Sequence, residues 1–130
     1  DDLRAAAGPA AELFAASSAP WNNHDDPDGT HVTDGPFLYR TSGGKLLMLW
    51  STFGKHGYAI GYSVSQSGGI EGPWVPAEQP LFDRDGGHGM LFTDKSGQLM
   101  LTIHSPNDTP NERAVFLPVI DTGDGLTPRA

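Results

Sequence analysis

Short apolar blocks separated by turn-forming residues organise the chain from residue 31 onward. Residues 32–41 read as a first strand, and Ser42-Gly43-Gly44 supplies a hairpin turn. Residues 45–52 (KLLMLWST) are apolar almost without interruption, the pattern of a strand covered on both faces. A loop over 53–57, a third strand over 58–65, a turn over 68–72 and a Pro-bearing fourth strand over 73–82 complete a meander. Proline lacks the ladder N–H, so this fourth strand suits a sheet edge.

The pattern then restarts. Residues 89–93 read as an inner strand, Lys95-Ser96-Gly97 as a turn, 98–104 as a second strand, 105–112 as a long polar loop and 113–121 as a third strand. Placing Gly44 on Gly97 sets Leu46-Leu47-Met48 over Leu99-Met100-Leu101 and Ser51 over His104. The repeat is about fifty residues, near the period of propeller blades. The expected fold is therefore all-β, a partial β-propeller of about two four-stranded antiparallel blades.

As a single fragment the chain divides into an N-terminal strand and loop (1–30), a first blade (31–84), a second, incomplete blade (85–121) and a tail (122–130). In this reading the second blade has no fourth strand, and an open third strand is an edge that must be covered. The segment around Leu13 and Phe14, residues 10–16, reads weakly as a strand and is the candidate donor. Completion by strand exchange, by homo-oligomerisation or by a companion chain is expected. Residues 1–9, with Leu3-Arg4-Ala5-Ala6-Ala7, read as a short helix ended by Gly8-Pro9. The run NNHDDPDGT over 22–30 reads as an exposed loop.

Composition narrows the partners. With 17 Gly and 11 Pro in 130 residues, short elements joined by turns are expected throughout. The absence of Cys excludes disulfides and thiolate metal sites. A net charge of −8 disfavours nucleic acid, whose non-specific binding rests on Lys and Arg neutralising phosphates, and suits a neutral ligand such as a sugar. No apolar run approaches the roughly 20 residues that span a bilayer, and no leader pattern opens the sequence. Carbohydrate is the expected partner, with neither nucleic acid nor membrane.

In an antiparallel meander the start of the first strand and the end of the second lie at one level. Asp34, residues 51–53, His88 and residues 104–107 therefore converge on one end, where a propeller's channel opens. Phe53, in a loop on that face, is the candidate for stacking on a sugar, whereas Trp50 and Trp74 read as packing between blades. His104 shapes the floor, and Asn107, Asn111 and Arg113 are placed to recognise hydroxyls, against the plain reading of a polar loop. Asp34 in Thr-Asp-Gly-Pro is equally a turn former. Asp25, Asp26 and Asp28 lack the Gly and terminal Glu of a calcium loop, which makes a solvated loop the default.

The strings VTDGPFLYRTSGGKLLMLWSTFG, SVSQSGGIEGPW and DGGHGMLFTDKSGQLMLTIHSPNDTPNER resemble the last two blades of five-bladed glycoside hydrolases of family 43, the β-xylosidase, arabinofuranosidase and arabinanase group. ELFAASSAPW is similar to the segment that precedes the fourth blade there. The resemblance implies inverting hydrolysis by a general acid and a water-activating carboxylate, tuned by a third carboxylate. It puts Asp34 at the general-acid position, where the family usually carries the Glu of Glu-Gly-Pro. It implies that the base and the tuning Asp lie in earlier blades, which this sequence does not contain. It further implies that His88, in Gly86-Gly87-His88-Gly89, faces the channel and an ion such as calcium, directly or through water. The alternatives are a non-catalytic or vestigial sugar-binding fragment, and a self-assembling two-blade module that closes a ring.

Overall fold

The computed structural model describes residues 6, 8–25 and 31–129. Eight strands form two antiparallel sheets. The first contains β1 (Asp34–Arg40), β2 (Leu46–Gly54), β3 (Gly57–Ser65) and β4 (Trp74–Pro76) in that order. The second repeats the order with β5 (Gly87–Thr93), β6 (Leu99–Ser105), β7 (Arg113–Asp121) and β8 (Leu126–Pro128). Each sheet is one blade.

Register follows side-chain volume. Leu47 and Leu49 of β2 and Ile60 of β3 alternate onto one face, where they meet Leu91, Leu101, Ile103, Val119 and Leu126 of the second blade. Because side chains alternate across a strand, Met48 and Trp50 fall on the opposite face. There Trp50 packs with Trp21, Ala16, Ala19 and Ala59, while Leu46, Met48 and Trp74 form an adjoining cluster beside Phe14. With both faces covered, β2 is the uninterrupted apolar run that its sequence shows.

Four sequence expectations are corrected. Residues 10–15 form no ladder, and a 3-10 turn, Ala16–Ser18, follows them. The segment instead lays Phe14 against Trp50 and Trp74, with ring centroids 5.2 and 6.3 Å apart, and Trp21 against Trp50 at 4.7 Å. It covers the first blade and does not close the second. The second blade has its own fourth strand within the expected tail, since β8 pairs with β7 at Val119↔Pro128 and Asp121↔Leu126. Three residues that follow Gly123 and Gly125 and end on Pro128 carry too short a pattern to show in sequence, and burial of Leu126 fixes them. The fourth strand of the first blade shrinks to Trp74–Pro76, with one further bridge from Phe82 to Ile60. The loop over 53–57 contracts to Lys55-His56, because β2 runs through Gly54 and β3 begins at Gly57. The helix expected over 1–9 lies mostly outside the described residues, as do Asp26 and Asp28.

At the end away from β1's first residue, Asp121 fastens one blade to the other. Its carboxylate accepts from the Tyr39 hydroxyl at 2.9 Å, from Ser42 N at 2.7 Å and Ser42 Oγ at 3.2 Å, and from Gly123 N at 2.8 Å. Burial pushes the Asp121 carboxyl up, but the N–H groups of Gly123 and Ser42 and the Tyr39 phenol outweigh it and hold it below the ordinary range.

Candidate functional site

The two blades carry the same irregularity at the same place. Register shifts fall between Asp34 and Phe37 in β1 and between Gly87 and Met90 in β5, opposite Ser51 and His104 respectively. Each bulge has a residue in the left-handed region, Gly35 at φ +56° and His88 at φ +52°. Glycine is the usual occupant of such a bulge position, and a side chain there costs on the order of 1 kcal/mol or more. The second blade carries that cost at a residue whose side chain meets Asp34 of the first blade.

His88 is held from three sides. Its N–H donates to Ser51 Oγ at 2.8 Å, its Nδ1 lies 3.3 Å from Asp34 Oδ2, and its ring rests over Gly35. A Cβ at Gly35 would stand 2.8 Å from His88 Cδ2, so glycine serves both the bulge and the ring. Tyr58, at the start of β3 and paired with Phe53, donates its hydroxyl to Asp34 Oδ2 at 2.7 Å. His104 stacks on Tyr58 at 5.5 Å and lies 6.5 Å from His88. Phe53 also packs on Tyr58, with ring centroids 5.4 Å apart. Asn107 Oδ1 meets His104 Nε2 at 2.9 Å.

Asp34, Phe53, His88, His104 and Asn107 are thus brought together, and Arg113 is not. The Arg113 guanidinium donates to the carbonyls of Pro110 and Glu112 in its own loop. Two members of the site are absent from the sequence reading. Tyr58 is the hub, and its signal is an aromatic residue opening a strand directly across a two-residue turn from Phe53. Asp85, at φ +57°, accepts from Tyr58 N at 3.3 Å and Asn107 N at 3.1 Å, and so ties the 105–112 loop to β3. No local pattern marks it.

The electrostatics of the cluster favour an ionised Asp34. The Tyr58 hydrogen bond, with smaller help from His88 and Gly35 N–H, holds the Asp34 carboxyl below its ordinary range against the opposing effect of burial. Burial and the same bond to Asp34 push the Tyr58 phenol well above its usual value. The Asp34 and His88 side chains remain 48% and 55% exposed, open to a ligand from solvent. Calcium takes six to eight oxygen ligands. Among the described residues no group of three or more His, Asp or Glu is arranged to hold a metal ion. This chain's own ionisable donors around His88, two imidazoles and one carboxylate, fall short of such an oxygen set.

Two four-stranded sheets of this order define part of a five-bladed propeller of the kind found in glycoside hydrolases. The solved structures that the chain matches include family-43-type enzymes. An endo-arabinase from Bacteroides thetaiotaomicron VPI-5482 is 47% identical with a TM-score of 0.72, over 83% of this chain and 39% of that one. An endo-1,4-beta-xylanase from the same organism is 24% identical with a TM-score of 0.64, over 77% of this chain and 38% of its own. A thermostable family-43 glycoside hydrolase is 21% identical with a TM-score of 0.61, over 75% and 35%. The latter two speak to the fold alone. The chain spans about two fifths of the length of these structures. It matches no protein-family model and no curated protein.

Proposed function

We propose that this chain supplies part of the glycan site of an arabinan- or xylan-directed glycoside hydrolase of family 43 type. The observation that carries this reading is the 47% identity to an endo-arabinase across 83% of the chain. The Asp34–Tyr58–His88–His104 cluster supports it, because an ionised acceptor, ring nitrogens and an aromatic floor are what sugar hydroxyls and sugar faces require.

Within this chain Asp34 is placed to accept hydrogen bonds, from the Tyr58 hydroxyl at 2.7 Å and at 3.3 Å from His88 Nδ1. A general acid must hold its proton near the working pH, and the contacts of Asp34 lower its pKa. A second carboxylate facing it from another blade would raise that value by like-charge repulsion. Hydrolysis with Asp34 as the acid therefore requires the remaining carboxylates from an assembly or a longer polypeptide, and binding does not. Aryl arabinofuranosides and xylosides test the division. The chain alone is expected to show no turnover, so that hydrolysis abolished by Asp34→Ala would refute the binding-only role.

One observation favours a covering partner. Met90, Phe92, Phe116 and Ile120, on the face of the second blade turned away from the first, are 49%, 37%, 56% and 44% exposed. Size-exclusion chromatography with light scattering separates an oligomer that covers this face from a monomer that leaves it open.

A further inference from the structure

Tyr58, His104, Asn107 and Asp85 form a closed circuit of contacts. The Tyr58 ring stacks on His104, with centroids 5.5 Å and planes 18° apart. His104 Nε2 meets Asn107 Oδ1 at 2.9 Å, Asn107 N donates to Asp85 Oδ2 at 3.1 Å, and Tyr58 N donates to Asp85 Oδ1 at 3.3 Å. The circuit joins β3 of the first blade to β6 and the 105–112 loop of the second. Asp85 closes it, with one carboxylate oxygen toward each blade.

The backbone is shaped to put that carboxylate there. Asp85 adopts φ +57°, a left-handed conformation that Asp tolerates better than most side chains. A Cβ at Gly57 would stand 3.0 Å from Asp85 Oδ1, so glycine leaves the oxygen its room. Gly86 follows, its N–H donating to Tyr58 O at 2.8 Å, and a Cβ on it would lie 2.7 Å from the His104 carbonyl. Residues 85 and 86 are thus wedged between the two strands that carry the stacked rings.

The two halves of the circuit depend on Asp85 unequally. Tyr58 is also held by its pairing with Phe53 and by Gly86, and it keeps these supports without the carboxylate. Asn107 lacks such a reserve, because among the described residues the other hydrogen bonds of residues 106–112 run within that stretch or to Arg113 beside it. Asn107 is exposed, so its N–H can turn to water once the carboxylate is gone. We propose that Asp85 is a positioning residue of the glycan site: through Asn107 it holds the His104 imidazole against Tyr58 and so fixes the aromatic floor beside Asp34. This rests on the glycan reading above.

The test is Asp85→Gly, which removes the carboxylate and suits the left-handed backbone, so that the urea midpoint is expected to stay near that of wild type. By NMR, nuclear Overhauser contacts between the Tyr58 and His104 rings are expected in wild type and lost in the variant. Those between Phe53 and Tyr58, whose centroids are 5.4 Å apart, are expected to persist in both. Calorimetry with short arabino- and xylo-oligosaccharides is expected to show affinity falling about three- to tenfold, the scale of one hydrogen bond. Asp85→Asn, which keeps one oxygen acceptor, is expected to lie between. A merely structural role would lower the midpoint and leave the affinity untouched. Affinity unchanged in Asp85→Gly, or affinity that falls while the Tyr58–His104 contacts persist, overturns the role and leaves the glycan reading standing. If wild type binds neither glycan, the glycan reading falls and this role with it. Should Asp85→Gly fail to fold, Asp85→Asn decides by the same ring contacts and affinity.

Discussion

Replacing Asp121 with Ala removes the acceptor for four hydrogen bonds that cross from the second blade to the first or close the turn beside it. Ser42 is exposed and Tyr39 and Gly123 are half-buried, so their donors find water in the variant and each bond is worth its net value of about 0.5–1 kcal/mol. The expected loss is about 2–4 kcal/mol, or about 10 °C in Tm for a chain of this size. Asp121→Asn keeps one oxygen and is expected to lose about half of that. The effect also depends on pH. Asp121 has a folded pKa below its unfolded value, so its stabilisation is present above the ordinary aspartate pKa of about 4 and is lost as pH falls through the folded value. Urea unfolding followed by Trp fluorescence at neutral and at acid pH reads both quantities. Curves for Asp121→Ala and wild type should separate at neutral pH and converge in acid. A neutral-pH difference below about 0.5 kcal/mol would refute the inter-blade clamp, since that is the scale of an ordinary surface substitution.

His88→Gly releases the left-handed strain, and is expected to raise stability by about 0.5–1 kcal/mol while weakening oligosaccharide binding, read by urea unfolding and calorimetry. Loss of both together would mean that the contacts of His88 outweigh its strain. Tyr58→Phe removes the strongest influence holding Asp34 down, so the Asp34 carboxyl should titrate at higher pH by NMR. An unmoved titration would show that His88 and the Gly35 N–H set its value.

Which features sequence reveals here depends on how many residues encode them. The nine residues of β2 carry an unbroken apolar run, and the Gly44–Gly97 correspondence carries the repeat, so the blade architecture is legible. The matched bulges, opposite Ser51 and His104, show only in the structure. β8 is illegible because its three residues sit among turn formers and are fixed only by the burial of Leu126 in a core built elsewhere. The N-terminal segment misleads because Leu13 and Phe14 look strand-like, whereas Phe14 is claimed by two tryptophans of the first blade. Asp34, His88 and His104 declare themselves through the repeat. Tyr58 and Asp85 act through contacts made in three dimensions, 24 and 22 residues from Asp34 and Asn107, and no spacing rule connects them. Arg113 is the converse case, a residue whose type suits a sugar site but whose guanidinium is engaged by its own loop.

The central claim is that the end of the blades bearing Asp34, Tyr58, His88 and His104 binds arabinose- or xylose-containing glycans. Isothermal titration calorimetry of wild type and Asp34→Ala against arabino- and xylo-oligosaccharides tests it most directly. Saturable binding to one or both glycans that Asp34→Ala weakens about tenfold or more, as loss of a charged acceptor predicts, is the expected result. Binding unchanged in Asp34→Ala, or no heat with either glycan at millimolar concentration, would contradict it.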